Sequence, residues 1–454
     1  MDEEYKSVQA EMAENFKLIQ KIKKIQKLEL NQVKYTNSDQ NCDIGTEQDI
    51  ISLIKNNELT IDNLLQLLPK EIPVFSEELI DIIFEFIDNS PLDRFDFINM
   101  FSSNRKNAIN LFKRGILEIL ISFLPISYEL LANIIEICSN YNCQSWFVEI
   151  GGLFALTFFS KTRDYDNPIS RILLSISTYN FYTQDILSTP ESTLHPIEIF
   201  DLPSDPIYLN ELFFNLHTSD NPQILSRLYL SLTNLFERSD PACRALGGLV
   251  LDEFDSVINN TEVRASFMLC ISKCIPITPI ENPFVLLDNL DEYLLCEDDD
   301  SFSMASLEVL DSLISRFGIE IFEESPAIDA ILSLCNDSRF DVKLHAAHSL
   351  SNVIECAIHS HCEILIRMGV IDFLIEFVDT IGGESMKELM RSLGEFIGYA
   401  LISDLPDDLN EKITSYIEEV ERMMYDHDTE EVRDEAEKCW NLFEPFLDEC
   451  SKPL

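Results

Sequence analysis

One short pattern returns along the chain at steps of about forty residues, and it restricts the possible folds more than anything else in the sequence. Its clearest copy is Ser349-Leu350-Ser351-Asn352-Val353-Ile354, a small or polar residue in fourth place among apolar ones. Related stretches occupy 82–87 (IIFEFI), 130–135 (LLANII), 172–177 (ILLSIS), 231–236 (SLTNLF), 270–275 (CISKCI), 309–314 (VLDSLI) and 392–397 (SLGEFI), with a copy shifted by one residue near 439–445. The fourth places are Glu85, Asn133, Ser175, Asn234, Lys273, Ser312, Asn352, Glu395 and about Leu442, so the steps are 48, 42, 59, 39, 39, 40, 43 and 47 residues. Helical repeats of roughly 40–47 residues are two- or three-helix units that stack to bury a continuous core. The long step contains 180–206, where Pro190, Pro196, Pro203 and Pro206 stand among Ser and Thr, the composition of a loop inserted between repeats.

Local patterning agrees with the period. Segments 77–87, 117–123, 306–317 and 342–358 place apolar residues three and four apart, which predicts amphipathic helices. No Asn-Gly or Asp-Gly hairpin signal lies between alternating runs. Pro91, Pro125, Pro168, Pro222, Pro326 and Pro406 fall where helices end or begin. Glycine follows a short helix and precedes an apolar run at Gly115, Gly151-Gly152, Gly247-Gly248 and Gly369, a spacing that predicts left-handed helix ends.

Charge narrows the function. The 454 residues carry 80 Asp plus Glu against 33 Lys plus Arg, a formal net charge of −47, yet 46% are apolar and 30 are Phe, so the chain can bury a large core. A surface this negative repels phosphates and anionic lipid, which argues against direct nucleic-acid or membrane binding. The longest uncharged apolar stretch, Gly151 to Phe159, is half of the roughly 20 residues a membrane helix needs. The Met-Asp-Glu-Glu start is opposite in charge to a secretory leader. The 12 Cys are scattered singly and read as reduced thiols, so a cytoplasmic or nuclear location is expected.

The unit at 327–381 joins Asp341-Val342-Lys343 and Ala346-Ala347 to Ser349–Asn352 and then to Met368-Gly369-Val370-Ile371-Asp372-Phe373-Leu374. In these residues the sequence resembles the armadillo-repeat family, most specifically in this unit and around Asn133 and Gly152, and more loosely over about 70–450. The resemblance implies an all-α fold, a right-handed α-solenoid of about nine armadillo-type repeats over 49–454, preceded by a basic helix and linker at 1–48. It further implies a concave groove in which Asn133, Asn234 and Asn352 hold the backbone of an extended peptide. An amide both donates and accepts, which suits capture of a backbone. A helix-face amide bonding its neighbouring repeat is the alternative role for each. In importin alpha, the nuclear-import adaptor of this family, a Trp stands four residues before the Asn; here Glu129, Leu230 and His348 occupy those places.

Residues 17–34 hold six Lys and one Glu, with Leu18, Ile22, Ile25 and Leu28 at helical spacing, a short basic amphipathic helix followed by a linker at 35–46. It weakly resembles the autoinhibitory arm of importin alpha, which binds either its own groove or the import carrier. A helix packed on the first repeat is the alternative.

No phosphate-cradling loop, dinucleotide fingerprint or nucleophile elbow is present, so no catalytic residue, cofactor or metal is assigned. His345, His348, His359, His361 and Cys362 cluster in one repeat, where helix surface and inter-repeat loop already account for them. The run Glu297–Asp300 lacks the alternating acids, turn glycine and terminal Glu of a calcium loop. The expected function is therefore non-enzymatic: capture of an extended basic peptide or tail on an acidic groove, in one form as a diverged nuclear-import adaptor. The alternative is a scaffold or regulatory subunit of a cytoskeletal, signalling or chaperone assembly that uses an apolar patch.

Overall fold

The computed structural model describes residues 42–68, 72–88, 95–122, 124, 127–138, 147, 152–160, 163–177, 205–238, 240–280, 282–287, 290–318, 327–335, 339–356, 361–378, 383–403 and 405–450. The basic arm at 17–34 lies outside them, as does the insertion near 180–206 except for Asp205 and Pro206, which open the helix Asp205–His217.

Every repeat place expected from the sequence falls on a helix. These ladder helices are α1 (Glu77–Asp88), α2 (Tyr128–Cys138), α3 (Asp166–Ser177), α4 (Pro222–Phe236), α5 (Arg264–Cys274), α6 (Asp300–Phe317), α7 (Phe340–Cys356), α8 (Gly383–Leu401) and α9 (Glu430–Cys450). The chain divides into two compact units, Met1–Asn234 and Leu235–Leu454. In the first, the helix Ile44–Lys55 packs on α1, α1 on Arg105–Phe112, that helix on α2, and α2 on α3. In the second, α5 to α9 pack each on the next. A second layer covers them: Asp240–Asp252 lies on α5, Leu290–Leu294 on α6, Ala327–Cys335 on α7, Val370–Val378 on α8 and Asp407–Asp426 on α9. The fold is an all-α solenoid of helical repeats, as the forty-residue period predicts, with no extended strand among the described residues.

The core follows from the spacing of apolar residues. On α1, Leu79, Ile80, Ile83 and Ile87 are fully buried; on α2, Leu131, Ile134, Ile135 and Cys138 are. Phe75, Phe86, Phe97 and Phe101 form an aromatic cluster: Phe75–Phe101 and Phe86–Phe97 meet edge to face, with centroids 5.4 Å and 5.7 Å apart, and Phe97 stacks on Phe101. Asn104 and Asn107 fasten the entry to this cluster: their side-chain amides donate to the carbonyls of Ile72 and Pro73 at 2.9 Å. Asn107 Oδ1 accepts from the Phe75 N–H at 3.0 Å, and Asn104 also caps the helix Arg105–Phe112.

Helix ends explain the departures from expectation. Ile44–Lys55 begins inside the stretch read as linker, because the Asp43 side chain accepts from Gly45 N–H and starts the helix there. Gly115 (φ +90°) and Gly369 (φ +78°) terminate helices in the left-handed region as expected. Gly247 and Gly248 do not: they lie within the helix Asp240–Asp252. There a Cβ on Gly247 would stand 2.0 Å from Thr278 Oγ1, so the glycine serves close packing between segments. The acidic run at 297–300 is structural in the same way. Asp299 caps α6 by accepting from Phe302 N–H at 3.0 Å, and it pairs with Arg264 at 3.1 Å. Asp300 pairs with Arg339 at 2.5 Å.

Candidate functional site, a polar seam on the ladder helices

Polar and charged side chains spaced three, four and seven apart on successive ladder helices meet to form a seam in each unit. In the first unit the seam centres on Arg171 of α3. Its Nε and Nη2 make a two-pronged contact with the Glu136 carboxylate at 2.8 and 2.7 Å. Nη1 reaches Glu129 Oε2 at 2.8 Å and Nη2 also donates to Asn133 Oδ1 at 2.7 Å. One guanidinium thus satisfies three residues of α2, a fork geometry that lysine cannot reproduce. Arg227 of α4 lies beside it, buried, and donates to Asn167 Oδ1 at 2.7 Å and to Ser170 Oγ at 3.4 Å. Burial first, and Arg171 next, lower its pKa from the ordinary arginine value, while Glu136 and Glu129 hold it up.

In the second unit the seam runs across α5 to α8. Lys273 Nζ sits 3.6 Å from both Glu237 and Glu308. Asp311, one turn beyond Glu308 on α6, faces Ser349, Asn352 and His348 of α7. Its Oδ1 is shut off from solvent without a hydrogen-bond partner. Burial pushes the Asp311 carboxyl up to about 7, Glu308 adds to the rise, and the three α7 side chains oppose it. His348 Nδ1 lies 3.2 Å from Glu388, and its Nε2 is 3.2 Å from Ser385 Oγ. Glu355 binds Arg391 of α8 at 2.5 Å. Burial also raises Glu395 above the ordinary carboxylate range, against the pull of Arg391 and with Glu355 adding to it.

The two seams differ in balance. Among the described residues, the first sets Glu129 and Glu136 against Arg171 and Arg227. The second gathers Glu237, Glu308, Asp311, Glu355, Glu388 and Glu395 around Lys273 and Arg391, with Arg238 beside Glu237. Lys343 of α7 does not offset this excess, because it turns to the outer layer, over Phe373 and Phe377.

Each Asn expected to hold a peptide has a neighbour on an adjoining ladder helix of its own unit. Asn133 accepts from Arg171, Asn234 Nδ2 donates to Ser177 Oγ at 3.2 Å, and Asn352 faces Asp311. Asn133 and Asn352 keep part of their surface open, whereas Asn234 is 3% exposed. Their partners lie some forty to sixty residues away, so spacing within a single helix could not reveal them; the signal available was the recurrence of charge near each fourth place. The histidines separate. His345 Nδ1 lies 3.1 Å from the Asp341 carbonyl, His348 joins the seam, His361 is buried, and His359 falls outside the described residues. No group of three metal-ligating side chains exists among the described residues, and no described helix is long and apolar enough to cross a membrane.

No protein-family model matches the chain, and no curated protein matches it. Solved structures do. An engineered protein from the Northeast Structural Genomics Consortium is 12% identical and aligns over 88% of this chain and 95% of its own, with a TM-score of 0.58. A second engineered protein from that consortium is 15% identical, over 51% of this chain and 94% of its own, with a TM-score of 0.41. A designed armadillo repeat protein in complex with the peptide (KR)4 is 16% identical, over 52% and 98%, also with a TM-score of 0.41. The first likeness is one of fold and agrees with the solenoid; the other two are too distant to carry an inference.

Proposed function

We propose that the chain is a non-enzymatic protein-binding solenoid whose second-unit seam captures an extended basic peptide or tail. The acid excess on α5 to α8 carries this reading. Glu237, Glu308, Glu355, Glu388 and Glu395, held beside Lys273, Arg238 and Arg391, leave an excess of negative charge that attracts cationic side chains at long range and places half-buried acceptors where they arrive. Asn352, half-buried among them, is the amide best placed to bond a peptide backbone. Asn133 is occupied by Arg171, and Asn234 reaches a ligand only after rearranging. A nuclear-import adaptor working between cytoplasm and nucleus is the specific form of the proposal, with the basic arm at 17–34 binding either this seam or a carrier.

The test is binding of an octapeptide of alternating Lys and Arg at low and high salt to the native chain and to a Glu388→Gln, Glu395→Gln double variant. Binding should weaken with salt, and the variant should bind several-fold more weakly with a shallower salt dependence. No binding at low salt, or identical binding by the variant, would refute it. A second reading, an apolar scaffold, is favoured by Phe284, Val285, Leu295 and Phe340, each between 44% and 55% exposed. Partner binding that is insensitive to salt and lost on Phe340→Ser would support that one instead.

A further inference from the structure

We infer that Arg171 is an internal ligand: it fills a guanidinium receptor made by Glu129, Asn133 and Glu136 and so keeps the first-unit seam closed to basic side chains. The inference rests on the peptide-capture reading for its biological role, but the receptor itself rests on geometry.

A planar guanidinium is met by a two-pronged carboxylate at 2.8 and 2.7 Å, a second carboxylate at 2.8 Å and an amide oxygen at 2.7 Å. All three acceptors project from one ladder helix at places 129, 133 and 136, the four- and three-residue spacing of a single helical face. The bound group comes from the next ladder helix, and it is enclosed: the Arg171 side chain is 10% exposed, Glu136 25% and Glu129 62%. The site is therefore deep at Glu136 and open at Glu129, so a guanidinium from outside approaches along the Glu129 edge and competes with Arg171 for the deeper carboxylate. Arg227 bears on the outcome. It stands close enough to Arg171 and both acids to feel them, yet its own hydrogen bonds go to Asn167 and Ser170. A guanidinium that takes the place of Arg171 meets the same repulsion from Arg227, and the Arg227 anchor on Asn167 and Ser170 stays in place.

The second-unit seam shows the contrast. The carboxylates beside Asn352 outnumber the bases there, whereas at Asn133 the count is even and the receptor is full. The two units would then differ in readiness: the second binds a basic segment directly, and the first binds one only by exchanging its own arginine for the partner's.

The experiment compares the native full chain with Arg171→Ala and, should alanine impair folding, Arg171→Gln, each checked by circular dichroism. Titration with the alternating Lys/Arg octapeptide should show affinity rising about tenfold in the variant, the scale of one regained charge-assisted contact. Adding Glu136→Gln should abolish the gain. In parallel, acetyl-arginine amide should raise the melting temperature of the Arg171 variant, but not that of the native chain, and acetyl-lysine amide should do less. Unchanged or weaker peptide binding, together with no selective stabilisation by the arginine amide, would overturn the inference. If the arginine amide stabilises the variant while the peptide binds neither protein, the receptor stands and the peptide-capture reading falls.

Discussion

Replacing Asp311 with asparagine tests whether the second-unit seam holds a carboxyl group out of water. Burial raises its folded pKa to about 7, while in the unfolded chain an aspartate titrates at about 3.9. For an acid raised in this way, the folded chain keeps its proton over a pH range where the unfolded chain has released it. The stabilisation is complete below about pH 4 and is lost as the pH climbs through 7. Asparagine resembles the protonated acid in shape and does not titrate, so the difference between native chain and variant isolates this one group from the rest of the −47 charge. Integrating proton uptake between about pH 5 and pH 8 gives a change of roughly 2.5 kcal/mol in favour of the variant. Because Asp311 is half-buried by area, that figure is an upper bound. The two proteins should be nearly equal in stability below about pH 4, and the advantage of Asp311→Asn should grow steadily between about pH 5 and pH 8. Trp440, packed on Phe443 at 5.2 Å in the second unit, reports unfolding by fluorescence once Trp146 is changed to Phe. For a unit of this size the urea midpoint of the variant should exceed the native one at pH 8 by up to roughly 1 M. A stability difference that does not change with pH would refute the burial argument.

Two further outcomes are expected. Gly247→Ala places a methyl group 2.0 Å from Thr278 Oγ1, so the roughly 1 kcal/mol that alanine ordinarily adds to a helix should reverse to a loss of about 1–3 kcal/mol by thermal or urea melting. Thr278→Ala in the same chain should restore part of it, and an equal loss in the double variant would contradict the clash. Deleting residues 1–34 should strengthen capture of the alternating Lys/Arg octapeptide if the basic arm competes for the acidic seam; unchanged affinity would assign the arm another role.

The stacking of the fold was legible because it depends on repeated local choices. The small or polar fourth place between apolar neighbours marks the ladder helices α1 to α8, with only a shifted copy on α9, and Gly115 and Gly369 mark left-handed ends with the residue such a backbone favours. Gly247 misled because its neighbour in space, Thr278, is 31 positions away, and a glycine chosen for close approach looks in sequence like one chosen for a turn. The run at 297–300 lacks a calcium-loop pattern, but its sequence does not show that Asp299 is a helix cap and Asp300 an arginine partner; only the position of α6 distinguishes these roles. The candidate site was half visible. Spacing singled out Asn133, Asn234 and Asn352, yet not Arg171, Ser177 or Asp311, which face them from adjoining helices. Charge composition suggested an acidic groove, and the distinction between a balanced first seam and an acid-rich second one required the pairings themselves.

The turn after α5 has a consequence for how such a chain can change its length. Thr278 is buried at the point where Gly247 leaves no room for a methyl group and where Cys243 Sγ comes within 3.6 Å of the Thr278 hydroxyl. The Arg316 guanidinium of α6 also donates to the carbonyls of both Ile275 and Thr278. A residue inserted at 276–278 would lengthen the path between those two carbonyls and break all of these contacts together. If the Pro-, Ser- and Thr-containing stretch before Asp205 is the inserted loop that its composition predicts, a residue added there would meet chiefly the slowly growing entropy of loop closure. Insertions and deletions in descendants of this sequence should therefore collect in the long step and spare the Ile275–Thr278 turn, which works as a fixed gauge between one repeat and the next.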